Sequence, residues 1–302
     1  KGEKSVVFPH KLSLIPASAK FDAFKTTPFA ATYTFDFAKE AIENEKLGKN
    51  SVTDFLAVSI SSTDYIGHAF GPNSIEAEDA YLRLDKDIAD FLSYLDKTVG
   101  MGNYLFFLTA DHGAAHVPAF LNENKIPAGI IENKEIEKEL DEAIVSTLGI
   151  KKAIRTLMNY QVYLNDDVIA AKDVDAVKKL IIKTLKQKPF IVNAFVNEDI
   201  EAVTMPEPQK QMTINGYNPK RSGDIQFSIK PGYFAGGKKG TTHGLWNPYD
   251  SHIPLLWFGW KVKPGKSNRQ VFMTDISPTI AAMLHIQMPN GNVGKVIEEV
   301  FK

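Results

Sequence analysis

Two unbroken apolar runs of strand length, each leading into a closely spaced Asp and His, constrain this chain more than any other feature. Asp54-Phe-Leu-Ala-Val-Ser-Ile-Ser61 is followed by Asp64 and His68, and Tyr104-Leu-Phe-Phe-Leu-Thr-Ala110 ends directly on Asp111-His112-Gly113. A continuous apolar run lacks the alternation of a half-exposed strand, so both runs predict strands buried on two faces, as in a parallel sheet covered by helices. Between them Ile75, Tyr81, Leu84, Ile88, Phe91, Leu92 and Leu95 recur at helical spacing, and Gly100 and Gly102 stop that helix. Strand, helix, strand predicts a βαβ unit whose polar residues collect at the carboxyl ends of the strands, the edge where open α/β sheets bind ligands.

The rest of the chain is organised around this unit. Pro9, Pro16 and Pro28 punctuate residues 1–30, which read as irregular chain. A helix is predicted from Phe29 to Lys46, closed by Gly48, with Thr26 and Thr27 as its capping pair. The segment Ser62 to Asn73 reads as a polar connection. Helical and strand patterns then alternate at Ile136–Leu148, Tyr160–Leu164, Asp173–Lys186, Phe190–Val196 and Ile225–Ile229. The main sheet resumes at Ile253–Gly259, and Asp275–Leu284 is a helix with Pro278 in its first turn. The fold class is therefore α/β, a mostly parallel sheet flanked by helices, with residues 1–130 and 231–302 forming the core and 131–230 an α+β insertion.

Composition excludes several functions. The 302 residues carry 35 Lys and Arg against 36 Asp and Glu, so there is no basic surplus for a nucleic-acid surface. No cysteine is present, which removes disulfides, thiolate metal sites and cysteine nucleophiles. No apolar run approaches the roughly 18 residues of a membrane helix, so no membrane span is expected. The chain starts at Lys1 rather than at Met, as a processed or truncated product would.

Seven histidines occur, and three of them mark the chemistry. His68 lies four residues after Asp64, His112 adjoins Asp111, and His243 sits in the small-residue loop Gly240-Thr-Thr-His-Gly244 ahead of the third strand. Taken singly each is an ordinary loop residue or helix cap. Together they are two carboxylates and three imidazoles at one sheet edge. Mixed imidazole and carboxylate donors suit zinc, whereas magnesium and calcium favour oxygen alone. Five such groups exceed what one tetrahedral catalytic zinc takes, so a two-metal centre of the kind that clamps a phosphoryl displacement is the economical reading. His116 and His252 are candidates to hold a ligand in orientation from behind. His10 and His285 lack acidic neighbours and read as surface or packing residues.

Thr63-Asp-Tyr-Ile-Gly-His-Ala-Phe-Gly-Pro-Asn73, Leu108-Thr-Ala-Asp-His-Gly113 and Gly240-Thr-Thr-His-Gly244, with Ser251-His-Ile-Pro-Leu-Leu-Trp-Phe-Gly259, resemble the metal-binding motifs of the alkaline phosphatase superfamily in its nucleotide pyrophosphatase/phosphodiesterase-like branch, closest to the bacterial phosphate-irrepressible type. The resemblance implies that Asp64, His68 and His243 are the protein ligands of one zinc, and that Asp111 and His112 are two ligands of a second. It also implies that a further Asp, a Thr or Ser nucleophile and the residues that hold the phosphoryl oxygens lie in an N-terminal segment outside this chain. The implied activity is that of a two-zinc phosphoric ester hydrolase, foremost a phosphomonoesterase, acting on a small phosphate ester in the periplasm or outside the cell; the fragment by itself is expected to be inactive. The alternatives are a phosphodiesterase or nucleotide pyrophosphatase of the same superfamily, and a non-catalytic metal-binding domain. The imidazole-rich ligand set argues against a sulfatase, and the Thr242-His-Gly-Leu-Trp-Asn247 context argues against the manganese mutases.

Overall fold

The computed structural model describes residues 11–301, so His10 lies outside the described residues. Along the chain, helices α1 (Lys20–Phe24), α2 (Phe29–Asn44), α3 (Ser62–Phe70) and α4 (Ile75–Leu95) precede strand β1 (Leu105–Thr109). Then follow α5 (Pro118–Glu123), β2 (Gly129–Ile130), α6 (Asn133–Leu148), β3 (Ile154–Met158), β4 (Gln161–Leu164), α7 (Val174–Lys186), β5 (Ile191–Val196), α8 (Gln209–Gly216), β6 (Ile225–Ile229), β7 (Tyr233–Phe234) and α9 (Pro248–Ser251). Strand β8 (Leu255–Gly259) and helix α10 (Ile276–Leu284) come last. The chain divides into two compact units, residues 1–113 with 252–302, and residues 114–251.

In the first unit α2 lays Phe35, Ala38 and Ile42 against Phe91 and Leu95 of α4. The Phe35 and Phe91 rings meet at 5.2 Å. β1 pairs with β8 in antiparallel register, Leu105 opposite Gly259 and Thr109 opposite Leu255. Below that pair Met283 of α10 packs with Ile297 and Val300.

Three expectations are corrected here. Residues 54–61 form no ladder among the described residues, and Phe55, Leu56 and Val58 are exposed, so the β-α-β crossover through this run is not present. Apolar composition shows that a segment can be buried; it cannot supply the neighbour that buries it. The segment from Ser62 to Phe70 is a helix rather than a polar connection, because Ile66 finds Ala77 and Ala80 of α4 to pack on. Thr26 and Thr27 do not cap α2. Their hydroxyls donate backward to the carbonyls of Ala23 and Phe24 at 2.8 and 2.7 Å, and the cap position is taken by Pro28.

The second unit is built on a four-stranded sheet in the order β3-β4-β6-β5, antiparallel throughout. α6 and α7 cover it with their apolar stripes: Leu140, Ile144, Val177, Ile181 and Leu185 are fully buried against Val162, Ile225 and Phe227. At roughly 1.5–3 kcal/mol for each such side chain, burial of this kind is the dominant stabilising term of the unit. β2 and β7 form a short parallel pair, Gly129 opposite Tyr233 and Ile130 opposite Phe234. The resulting mixture of helices and sheets is the α/β class expected.

Candidate metal centre

Asp64 and His68 stand on α3, four residues apart and therefore on one face of the helix. Ile66, between them in sequence, points the other way and is buried against α4. His68 Nε2 lies 3.3 Å from Asp64 Oδ2, and both side chains are 36 % exposed, so two donors of different type converge at a surface a cation can reach. The helix is closed at its carboxyl end. Gly71, at φ 89°, breaks it in a conformation that favours glycine, and Gly71 N donates to Gly67 O at 2.8 Å. Ser74 then donates to Gly71 O at 2.7 Å and accepts from Ala77 N at 3.2 Å, capping α4. The face that carries Asp64 and His68 is thus fixed by packing and caps rather than by the pair itself.

Asp111 and His112 leave the carboxyl end of β1, as expected. His112 Nδ1 donates to Gly113 O at 2.8 Å, which places the ring proton on Nδ1 and fixes the ring's orientation. That Nε2 is 3.6 Å from Asp111 Oδ1, and the Asp111 side chain is 88 % exposed. Asp111 Oδ1 also accepts from His112 N at 3.1 Å. In β1 register this pair lies beyond Thr109, which is opposite Leu255, so His252 enters β8 at the same end of the ladder; its side chain is exposed.

His243 belongs to the second unit, in a loop pinned on both sides. The buried Thr241 hydroxyl donates to Ala115 O, Ala115 N donates to Thr242 O at 3.2 Å, and Leu245 N donates to Asp250 Oδ2 at 2.9 Å. Gly244, at φ 111°, makes the turn that follows the histidine. The His116 ring packs against Phe120 at a tilt of 35°, with ring centroids 5.3 Å apart. His285 is the left-handed C-cap of α10, a structural role. Thr241 and Asp250 were not singled out by sequence reasoning. Their roles depend on contacts, 126 residues away for Thr241, that leave no local pattern.

The donor set fits a divalent cation of zinc type: a carboxylate and an imidazole in contact on one helix face, and an imidazole whose tautomer is set by a backbone carbonyl.

The family model of type I phosphodiesterase / nucleotide pyrophosphatase matches residues 12–253. A calcium-transporting ATPase of Myroides odoratus is 53 % identical over 310 residues, covering 100 % of this chain and 56 % of its own length. Alkaline phosphatase PhoV of Synechococcus elongatus is 48 % identical over 304 residues, covering 100 % and 54 %. The crystal structure of wild-type alkaline phosphatase PafA superposes with a TM-score of 0.95 at 47 % identity, over 99 % of this chain and 58 % of that one. The chain spans about half the length of the curated relatives it matches. This likeness shows the alkaline-phosphatase-like fold. With the family match running from residue 12 to residue 253, through the segments that carry Asp64 and His68, Asp111 and His112, and His243, the chain belongs to the type I phosphodiesterase / nucleotide pyrophosphatase family.

Proposed function

We propose that this chain is the metal-binding portion of a two-zinc phosphoric ester hydrolase, with phosphomonoesters as its substrates. Asp64, His68 and His243 hold one zinc, and Asp111 and His112 supply two ligands of the other. The observation that carries the reading is the Asp64–His68 pair, 3.3 Å apart on a face of α3 that the helix packing presents to solvent. Zinc at such a centre supplies Lewis-acid stabilisation of the negative charge on the phosphoryl and leaving-group oxygens. The chain's own residues do the holding: Asp64 contributes a carboxylate charge, and the Nδ1–H of His112 donates to Gly113 O, which orients the ring. Thr241 and Asp250 fix the loop that carries His243. No nucleophile is assigned among these residues, since the hydroxyls of Thr26 and Thr27 are engaged with carbonyls of the preceding turn. The family match also favours a phosphodiester as substrate, which comparison of an aryl phosphate with a bis-aryl phosphate separates. The location that accompanies this reading is the periplasm or the cell exterior; among the described residues no helix is long and apolar enough to cross a membrane.

The test is elemental analysis of the purified chain beside His68→Ala and His243→Ala, with aryl-phosphate hydrolysis followed on the full-length gene product and its His68→Ala variant. Zinc that co-purifies with the wild type and is lost from both variants, together with turnover that His68→Ala abolishes, is the expected result. Zinc content unchanged in both variants overturns the ligand assignment.

A further inference from the structure

Asp250, in the short helix α9, is a carboxylate 3 % exposed and lies in the same unit as His243. Its Oδ2 accepts from Leu245 N at 2.9 Å, so it is bonded to the backbone two residues past the histidine, across the turn at Gly244. The carboxylate belongs to a buried polar cluster. Asn247, itself buried, donates through Nδ2 to the Tyr249 hydroxyl at 2.7 Å, and Gly232 N donates to the same hydroxyl at 3.1 Å. The Tyr160 hydroxyl accepts from Ala235 N at 3.3 Å. Burial, with the negative charge of Asp250 adding to it, pushes both tyrosine hydroxyls up, which places the carboxylate and the two phenols in one enclosed region. Gly236, Gly237, Lys238 and Lys239 are exposed, so the bonds at Gly232 and Ala235 on one side and at Leu245 on the other are what anchor this loop around His243.

The bond to Leu245 N does not by itself require an acid. A neutral amide oxygen would accept from that N–H equally well, whereas taking an ionised carboxylate out of water is costly unless positive charge compensates it. A cation held by His243 supplies such charge. We infer that Asp250 is a positioning residue for His243: its carboxylate fixes the turn that aims the imidazole, and its negative charge strengthens the hold of the site on a divalent cation. The inference rests on the metal centre proposed above and adds a group behind the ligand to it. Groups that orient a metal ligand from behind typically change metal affinity by roughly 10–100-fold when replaced. Thr241 has a narrower role, because its uncharged hydroxyl donates to Ala115 O and fixes position alone.

The test is zinc affinity of the full-length gene product, measured by competition with a chromophoric chelator for wild type, Asp250→Asn, Asp250→Ala and His243→Ala. Thermal unfolding of each metal-free protein and aryl-phosphate kinetics accompany it. Asp250→Asn keeps an oxygen for Leu245 N and loses the charge; it should weaken the zinc that His243→Ala removes by roughly tenfold, with metal-free unfolding unchanged. Asp250→Ala loses the acceptor as well and should weaken it by roughly a hundredfold. Saturating zinc should restore kcat of Asp250→Asn at unchanged KM, a rescue that a misfolded loop would not show. Wild-type zinc affinity in Asp250→Asn overturns the inference, and so does a loss of affinity that appears only together with a lower metal-free unfolding temperature. Zinc lost from His243→Ala but fully retained by Asp250→Asn sinks this inference alone, whereas a wild-type protein that binds no zinc sinks the metal centre and the inference with it.

Discussion

In residues 114–251 one sheet is sealed by two amphipathic helices, and Leu140, Ile144, Ile181, Leu185, Ile225 and Phe227 have essentially no accessible surface. The described residues of the other unit are organised differently. Their buried side chains fall into separate small clusters, around Phe35 and Phe91, under Ile66, and around Met283, while Phe55 remains 67 % exposed in an apolar run. The contrast teaches that the unit carrying His243 is stabilised by one continuous core, whereas the unit carrying Asp64, His68, Asp111 and His112 is stabilised by local helix pairs and one strand pair. Donors placed on small clusters are sensitive to single packing changes near them.

The largest effect is expected at the centre of the continuous core. Phe227→Ala removes a fully buried ring packed edge-on to Tyr160 at 5.9 Å and should cost about 4 kcal/mol in chemical denaturation. A loss below about 1 kcal/mol would break the comparison. Ile66→Ala empties the contact that seats α3 and should cost about 2–3 kcal/mol; because that contact aims Asp64 and His68, zinc affinity should drop with it. Unchanged zinc affinity in that variant would show that the pair does not depend on its small cluster.

A smaller effect concerns pH. Burial and the hydrogen bond to Asp96 Oδ1 at 2.8 Å push the Tyr104 hydroxyl up to about 12. A phenol with a raised pKa stabilises the folded state while protonated, so its contribution is full below the ordinary value near 10 and is lost as pH rises toward about 12. Spectrophotometric titration of wild type against Tyr104→Phe should show one tyrosine missing from the late phase; an identical late phase in the variant would remove the assignment. The smallest change in stability is expected for Phe55→Ser, within about 0.5 kcal/mol, because the ring is already largely in solvent. Slower aggregation on heating should be its visible consequence. A large destabilisation there would mean that the exposed run contributes to the first unit after all.

Elements with strong internal pattern were legible from the chain alone. α6 and α7 repeat apolar residues at helical spacing among Lys and Glu, and β1 is an apolar run followed closely by Asp111-His112-Gly113. β3 was not legible, because Arg155 and Met158 break a five-residue strand into an ambiguous alternation that its pairing with β4 resolves. α3 was missed for a related reason: Ser62, Thr63 and Gly67 favour a loop locally, and the contact of Ile66 with α4 overrides that preference. The extended run at 54–61 shows the reverse failure, in which local apolarity promises a ladder the described residues do not contain.

Residue identity and short spacing alone determined the donors: an Asp and a His four apart lie on one face of any helix they join, and an adjacent Asp and His at the end of a strand leave it together. Only the tertiary structure decided what surrounds them. The Thr241 hydroxyl reaches Ala115 across 126 residues to fix the His243 loop, and Gln161 meets Gln226 because β4 and β6 pair in one register. Helical periodicity is a property of a few consecutive residues, so it survives in the sequence. Register between distant strands is set by the whole core closing around Val162, Ile225 and Phe227, and no local pattern encodes it.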